Sequence, residues 1–511
     1  MAYTIGIVIV VVIIWIVAWT VRSVAARQTL LLAASYLFYS NWGIGFLLIL
    51  VASSLLNFAW GARLRRRMTF GCLWSGVGLN VLLLGFFKYL PPVLQTIATG
   101  GRPLELAQNI IMPVGMSFWT FQGLSYLFDI YREEEMDPSL VEFCLYMAFW
   151  PVVFAGPVCR MPDMLPQFRR KPVFSWDDIS VGSLRIIQGV FMKMFVATIL
   201  GGGLVAGQGV AAGFDQMTGG WGGVDIWLLG IGFGFLLFFD FAGYSHIVIG
   251  TARLFGIQLP ENFNRPFLST TPSIFWTRWH MSLSSWIRDY VFVPLAAASR
   301  NRQWPYAVFV IAMTLFGLWH AARWTFICWG MYHGLVLVVH RLGQQVKRKY
   351  PIVIPRRLGA FLAWAVTFPV VSLGWIFFRA NSLGEAVSML GTALNPSAYA
   401  RLGMPRNFYI IVFIVAAAYF ASTAAHALTM SWAVAYRKIS NADASGSTVL
   451  MKPLAGSGGF RLNAGGLFSF LSDTLWWWFA PTVALITALI GIAIYQQNAV
   501  VSVTPFIYTL F

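Results

Sequence analysis

The chain has 511 residues, of which 58% are apolar and only 10% are charged. Soluble globular domains carry about 25% charged residues, so this composition excludes a soluble enzyme, a disordered chain and a secreted disulfide scaffold. The 35 Lys and Arg residues outnumber the 18 Asp and Glu residues, which gives a net charge of +17. In a membrane protein such an excess collects in cytoplasmic loops and against anionic head groups. We therefore predict a multi-pass helical membrane protein without a nucleic-acid partner.

Long apolar windows recur along the chain and predict the membrane-spanning helices. A spanning helix needs about 20 apolar residues, so we expect about 11 spans, with the shorter windows forming re-entrant or interfacial pieces. Together the windows predict an all-α transmembrane bundle and a single membrane-embedded domain over residues 1–511. The windows are 3–21, 28–40, 43–60, 71–90, 141–158, 224–241, 305–319, 324–340, 358–378, 407–428 and 475–495.

Clusters of Arg and Lys predict the orientation of the bundle. By the positive-inside rule the loops that carry them are cytoplasmic. The alternation of cytoplasmic and external loops then fails around residues 108–170, which predicts a re-entrant or interfacial segment there. The stretch 438–466, rich in Gly, Ser, Ala and Asn, is predicted to be a flexible cytoplasmic loop. The basic clusters are Arg63–Arg67, Arg169–Lys171, Arg300–Arg302, Arg341–Lys349 and Arg356–Arg357.

The residues that could take part in catalysis or binding lie between Phe239 and His333, where polar and ionisable side chains interrupt the apolar windows. A charge at membrane depth costs at least about 2.5 kcal/mol, so such groups persist where they pair or line a cavity. The block 275–290, taken as a helix, is predicted to be an amphipathic, aromatic-rich segment at an interface. Its two stripes are an aromatic one with Trp279, Trp286 and Tyr290 and a polar one with Arg278, Ser282 and Ser285.

Two histidines in this region are candidates for catalysis. His320 ends the window 305–319, and His280 lies within the amphipathic block. A neutral imidazole is a competent general base near pH 7. A histidine flanked by tryptophan is nevertheless more often structural, so the residues alone leave both roles open. No two histidines have a spacing of three or four residues with a carboxylate nearby, so we predict no metal site.

Several motifs along residues 40–510 strengthen the case for His320. They are Gly85–Tyr89, Met112–Gln122, Phe154–Pro157, Asp240–Ser245, Asn262–Pro266, Arg278–Pro294, Leu318–His320, Leu373–Arg379 and Pro505–Tyr508. In this order they resemble the bacterial membrane-bound O-acyltransferase family, in its alginate O-acetyltransferase branch. The resemblance implies a helical bundle around a central funnel that holds the catalytic histidine of the family, here His320, with His280 lining the same funnel.

The resemblance also implies the substrates and partners. The expected donor is cytoplasmic acetyl-CoA, with no bound cofactor, in a bacterial inner membrane. The expected acceptor is a hydroxyl of an exported polysaccharide, alginate-like or cellulose, reached directly or through a periplasmic SGNH-type partner in a polysaccharide secretion complex. The predicted catalytic residues are His320, as general base, and His280. The predicted substrate-binding residues are Arg278, Trp279, Asn264, Ser282, Asp289, Trp319 and Trp324.

Other interpretations stay open at this point. The same fold could transfer D-alanyl groups or acylate peptidoglycan. Polar residues at membrane depth also suit a non-enzymatic transporter or flippase, although the sequence has no inverted repeat. For a CoA donor, the basic residues Arg300, Arg302 and Lys347–Lys349 could bind the phosphates or could serve only to fix topology.

Overall fold

The computed structural model describes residues 13–423, except 98–101, 135, 172, 204, 206, 216–219 and 352. The predicted loop 438–466, the window 475–495 and the motif Pro505–Tyr508 lie outside these residues. The described part is helical and contains no strand. Its helices are 13–20, Val24–Ser40, Ile44–Arg66, Phe70–Lys88, Leu90–Ile97, Arg102–Asn109, Met116–Tyr131, Leu140–Ala148, Met161–Arg169, Trp176–Gly202, Val210–Asp215, Gly223–Leu254, Pro266–Leu268, Pro272–Trp276, Met281–Ile287, Arg288–Phe292, Val293–Ala297, Trp304–His320, Trp324–Lys349, Arg356–Arg379, Leu383–Leu394, Pro396–Ala400 and Arg406–Thr423.

Six of the described helices are long and apolar enough to cross a membrane. Five of them coincide with predicted windows and confirm a multi-pass helical bundle. Because part of the chain lies outside the described residues, the total number of spans stays a prediction. One connected core joins buried side chains from Ala18 to Tyr419. The six are Ile44–Arg66, Phe70–Lys88, Trp176–Gly202, Gly223–Leu254, Arg356–Arg379 and Arg406–Thr423.

The predicted windows missed the span Trp176–Gly202. Charged residues fall in its first 18 positions, although its most apolar 18-residue stretch has a mean hydropathy of 1.5. The structure pairs three of these charges with the long central helix, Gly223–Leu254, and with the loop that follows it. A charge that is paired inside the bundle does not prevent a helix from lying in the membrane, so these residues were no reason to leave this span out. The pairs are Asp178 with Arg253, Lys193 with Asp240 and Arg185 with Glu261.

Paired glycines let Trp176–Gly202 cross the central helix at close range. A Cβ atom on Gly243 would lie only 2.8 Å from the carbonyl oxygen of Gly189, and one on Gly250 only 2.6 Å from that of Gly182. Small residues at such crossings allow two membrane helices to approach closely, and packing then holds them together. The glycine positions therefore fix the central helix against its neighbour.

The segment between Asp137 and Lys171, called the re-entrant segment below, folds back inside the bundle, because Arg169 near its end pairs with Glu142 near its start. That it enters the membrane without crossing it stays a prediction. Leu140–Ala148 and Met161–Arg169 have nine residues each, too few to span a membrane. The irregular backbone between them is almost entirely buried in protein, the condition under which such backbone is tolerated at membrane depth. The outer ends of both helices meet at Glu142, whose carboxylate accepts hydrogen bonds from Arg169 at 2.8 and 2.9 Å.

We expect Glu142→Gln to weaken this re-entrant segment. Hydrogen bonds from Arg169, opposed by burial and helped by Ser139, lower the pKa of the Glu142 carboxyl to about 2. Because the folded-state pKa is lowered, the stabilisation is complete above the ordinary carboxyl value and is lost as the pH falls from about 5 toward 2. The variant should be less stable at pH 7 by about 1–2 kcal/mol, and its thermal unfolding in detergent should respond less to acid than that of the wild type.

The control is Glu105→Gln, which removes an exposed carboxylate at the first turn of Arg102–Asn109. This control should unfold like the wild type at each pH. Equal acid sensitivity of the wild type and both variants would contradict the role given to Glu142.

Candidate active site

A tightly packed helix pair positions His320. The helix Trp304–His320, called the histidine helix below, packs against Trp324–Lys349. A Cβ atom on Gly317 would lie 2.1 Å from the carbonyl oxygen of Phe326, and one on Gly330 would lie 2.2 Å from that of Met313. The two backbones therefore touch, and the position of His320 depends on these glycines.

The histidine helix ends at membrane depth. Its 17 residues rise about 25 Å, whereas the hydrocarbon core is about 30 Å thick. The helix starts at the basic end of the bundle, because Gln345, beside Lys347, donates a hydrogen bond to the Tyr306 hydroxyl at 2.6 Å. Ala321 then adopts an extended conformation that ends the helix directly after His320. His320 therefore lies where the floor of the predicted funnel is expected, if the funnel opens on the side of the membrane opposite the basic end.

Aromatic rings enclose the His320 side chain, and the residue is only 6% exposed. Its ring centroid lies 4.7 Å from that of Trp319, 4.9 Å from Phe316, 5.0 Å from Phe378 and 5.4 Å from Trp329. Such an enclosure excludes water, which otherwise hydrolyses a reactive acyl group.

His280 occupies a second buried position, 2% exposed, at the start of Met281–Ile287. Its backbone has φ 42° and ψ 54°, in the left-handed region that side chains rarely adopt. Such strain persists where the surrounding structure holds it in place, and it concentrates at functional sites. Here backbone hydrogen bonds from Met281 to Asn262 and from Asn264 to Arg278 hold the turn on both sides.

Asn262 fixes the tautomer of His280. Its amide nitrogen donates to Ser245 at 3.1 Å and its oxygen accepts from Ser282 at 2.6 Å, so the oxygen is the atom 3.3 Å from His280 Nδ1. A neutral His280 therefore carries its proton on Nδ1 and has a lone pair on Nε2. Nε2 is buried and has no hydrogen-bond partner among the described residues. It can accept a hydrogen bond from a substrate.

His280 and Lys88 both lie within electrostatic range of His320. Lys88 Nζ lies 4.9 Å from the ring centroid of Trp319 and 3.4 Å from the hydroxyl oxygen of Ser117. No role was predicted for Lys88 from the sequence. A lysine that ends an apolar window with no acidic residue nearby in sequence was the signal that could have identified it.

The third histidine of the region, His333, lies apart from this group. It is buried between Trp276 and Trp329, with ring centroids 5.2 and 5.1 Å away. Across the described ranges, no three His, Cys, Asp or Glu side chains are grouped so that they could hold a metal ion.

The predicted helix over 275–290 is wrong in its first half. Pro272–Trp276 ends, the chain turns, and Met281–Ile287 begins only after the left-handed residue His280. This break interrupts the helical period, so Arg278 does not share a face with Ser282 and Ser285. Arg278 lies instead within electrostatic range of Tyr419.

Two of the predicted binding residues form hydrogen bonds or ion pairs with other protein groups. Ser282 donates to Asn262 and accepts a hydrogen bond from the backbone nitrogen of Val158 at 2.9 Å, which ties the block to the re-entrant segment. Asp289 pairs with Arg160 and Arg288, both at 2.7 Å. Although burial opposes its ionisation, hydrogen bonds from Arg288 and Arg160 lower the pKa of the Asp289 carboxyl. Its role toward a substrate stays a prediction.

Three further predicted residues do not contact the His320 ring. Trp279 packs in an aromatic cluster with its ring centroid 4.8 Å from that of Trp375. Asn264 is exposed, and the buried asparagine at the site is Asn262. Trp324 is 72% exposed and has no aromatic contact in the described part of the chain. The tryptophan of the same helix that contacts the His320 ring is Trp329, and the role of Trp324 toward a substrate stays a prediction.

A cavity of about 410 Å³ runs along the histidine helix. It extends from Phe309 to Phe316, about 10 Å along the axis, and Phe316 contacts His320. On the other side it is lined by Ser284, Ser285 and Arg288, whose side chain is 62% exposed. The cavity is thus a mostly apolar passage that leads to the aromatic cluster around His320, and the guanidinium of Arg288 lies beside it.

We expect His280→Gln to lower the activity of this site about 10–100-fold while changing stability little. The substitution removes the Nε2 lone pair and keeps a hydrogen-bonding side chain of similar size. The matched control is His333→Gln, because His333 is equally buried, and its Nε2 also has no hydrogen-bond partner in the described ranges. If turnover is unchanged and only the melting temperature falls, His280 has a structural role alone.

The sequence is similar to that of several known acyl-transferring proteins. A model of the membrane-bound O-acyltransferase family matches residues 116–380. The probable alginate O-acetylase AlgI of Pseudomonas putida is 35% identical over 377 residues, covering 71% of this chain and 74% of that protein. The peptidoglycan O-acetyltransferase of Helicobacter pylori is 31% identical, covering 70% and 72%. The teichoic acid D-alanyltransferase of Bacillus subtilis is 27% identical, covering 61% and 79%.

Proposed function

Since the chain belongs to the membrane-bound O-acyltransferase family and is a multi-pass membrane acyltransferase, we propose that it moves an acetyl group from acetyl-CoA to hydroxyls of an exported, alginate-like polysaccharide. The observation that carries this proposal is the enclosed imidazole of His320 at membrane depth, with a cavity from the basic end leading toward it. Family membership decides against the transporter that the polar residues alone also allowed. We place the protein in the bacterial inner membrane.

In the proposed reaction His320 is the general base. It takes the proton of the acceptor hydroxyl while the hydroxyl oxygen attacks the thioester carbonyl, and it later returns that proton to the thiolate that leaves. General-base catalysis of this kind contributes about 10²–10⁴-fold. Nε2 of His280 accepts a hydrogen bond from a neighbouring hydroxyl of the acceptor and so orients it.

The donor enters from the basic end. CoA carries several phosphate charges, which Arg side chains bind through charge-assisted hydrogen bonds. Its narrow pantetheine arm suits the cavity along the histidine helix, where Ser284 and Ser285 can hydrogen-bond to its amides. Arg300 and Arg302 are exposed in the loop before this helix, whereas Arg288 lines the cavity itself.

The test of the proposed function uses purified protein in lipid nanodiscs with acetyl-CoA labelled in the acetyl group. We expect label to move to an added uronate polysaccharide, or the thioester to be hydrolysed, at rates above those of His320→Ala. If acetyl-CoA is not consumed while a D-alanyl thioester is, the D-alanyl alternative is correct and the acetyl donor is wrong.

The same assay, with the acceptor varied, distinguishes direct transfer of the acetyl group to the polysaccharide from transfer through a partner protein. A periplasmic SGNH-type partner within a secretion complex is the proposed relay. If the protein alone hydrolyses acetyl-CoA but labels the polysaccharide only when such a partner is added, the relay is supported. Labelling of peptidoglycan in preference to uronate polymers would replace the proposed acceptor.

We expect Arg288→Gln to raise the KM for acetyl-CoA about tenfold with little change in kcat, the pattern of lost uniform binding. The comparison variant is Arg300→Gln with Arg302→Gln, which neutralises the exposed loop instead. If the KM for acetyl-CoA rises only in the double variant, the CoA phosphates bind at the loop and not at the cavity. A lower kcat for Arg288→Gln at unchanged KM would contradict a role in donor binding.

A further inference from the structure

Lys88 lies beside the reacting centre, and its side chain has no acidic partner among the described residues. It ends the span Phe70–Lys88, which begins directly after the basic cluster Arg63–Arg67, so Lys88 lies toward the opposite end of the bundle. The neighbouring Tyr89 hydroxyl donates to the carbonyl oxygen of Leu318 at 3.2 Å and so fixes this helix end to the corner that carries His320.

The surroundings of Lys88 do not neutralise its charge. Its ammonium meets the hydroxyl of Ser117 and the face of Trp319. No described carboxylate forms an ion pair with it, whereas the membrane-embedded Lys193 has Asp240. A partly buried cation without an acid at membrane depth is costly and is usually retained for function. This arrangement favours an anion in the working enzyme.

We propose that the Lys88 ammonium stabilises the oxyanion that forms on the thioester carbonyl during acyl transfer at His320. This assignment rests on the proposed function. When the acceptor oxygen bonds to the carbonyl carbon, the π electron pair moves to the carbonyl oxygen and His320 holds the hydroxyl proton. The pair then returns, the carbon–sulfur bond breaks, and the thiolate takes the proton from His320. Lys88 carries no proton in these steps and acts through its charge.

The location of Lys88 favours the oxyanion over a charged group elsewhere on the acceptor. The ammonium lies against Trp319, the residue directly before His320, and Trp319 stacks on Phe316 at 5.9 Å. Phe316 also lines the cavity assigned to the donor. The ring of Phe316 contacts both Trp319 and His320, so a carbonyl delivered along this cavity arrives beside His320 and beside the Trp319 ring that Lys88 faces. A donor aimed at the developing charge in a water-excluded site is worth about 10²–10³-fold in kcat.

The experiment measures two reactions, acetyl transfer and acceptor-independent hydrolysis of acetyl-CoA, for wild type, Lys88→Met and Lys88→Arg. Both reactions pass through an oxyanion. We expect Lys88→Met to reduce kcat of both about 10²–10³-fold with the KM for acetyl-CoA nearly unchanged, and Lys88→Arg to recover part of the loss. Lys171→Met, which removes an exposed lysine at the basic end, should match the wild type.

Each other outcome overturns the assignment while leaving the proposed function intact, because the wild-type rates test that function separately. If Lys88→Met loses transfer but keeps hydrolysis, Lys88 binds the acceptor. If it keeps both reactions at high pH and only shifts the acidic limb of the pH–rate profile, Lys88 acts through the charge state of His320. An unchanged affinity for a thioether analogue of acetyl-CoA verifies that the variant is folded, and full activity of such a variant refutes the proposal.

Discussion

Substitution of His320 by alanine should reduce acetyl transfer about 10²–10⁴-fold, the contribution of a positioned general base. The imidazole sits where the histidine helix ends, inside a ring of aromatic side chains, and the donor cavity reaches Phe316 beside it. His280 offers a second buried imidazole nitrogen at this site, and its Nε2 should support no more than residual turnover.

The variant His320→Gln separates chemistry from packing. Glutamine fills most of the space between Phe316 and Phe378 but cannot take a proton near neutral pH. Initial rates with labelled acetyl-CoA and melting temperatures in detergent are measured for both variants. His340→Ala is the matched control, since His340 lies on the neighbouring helix and contacts Gln344 instead of the site. Transfer near the wild-type rate in His320→Gln would remove His320 from the mechanism.

Much of the fold could be predicted from the sequence because a bilayer allows few solutions. Backbone groups in lipid must be satisfied internally, so apolar windows of sufficient length become helices. Trp176–Gly202 was missed although its apolar stretch is at least as hydrophobic as that of Arg406–Thr423. Its charges stand out in the local sequence, whereas their partners, such as Asp240 for Lys193, belong to a distant segment.

Site residues could be predicted from the sequence where they stand in a local motif. Contacts between residues that are distant in sequence could not. His280 and His320 stand in recognisable motifs, and both are buried in the structure. Lys88 also stands in a motif, Gly85–Tyr89, but the motif does not show that this helix end meets the histidine helix, as the hydrogen bond from Tyr89 to Leu318 does. Helical periodicity also failed at His280, since a single left-handed residue changes the direction of every side chain before it.

The second large effect is expected from substitution of a glycine where the histidine helix contacts Trp324–Lys349. We expect Gly330→Ala to separate the histidine helix from Trp324–Lys349, because the new Cβ would lie 2.2 Å from the backbone oxygen of Met313. Overpacking of this kind costs about 1–3 kcal/mol. Displacement of a catalytic group by about 1 Å can reduce turnover about 10²-fold, so activity should fall more steeply than the melting temperature.

Gly343→Ala is the matched control for this variant, because Gly343 lies on the same helix and a Cβ there meets no atom within 4 Å. In the absence of a clash, alanine favours a helix over glycine by about 1 kcal/mol. Gly343→Ala should therefore equal or exceed the wild type in melting temperature and match it in acetyl transfer. Parallel behaviour of the two variants would show that the close approach at Gly330 does not position His320, and that the aromatic enclosure alone holds the imidazole in place.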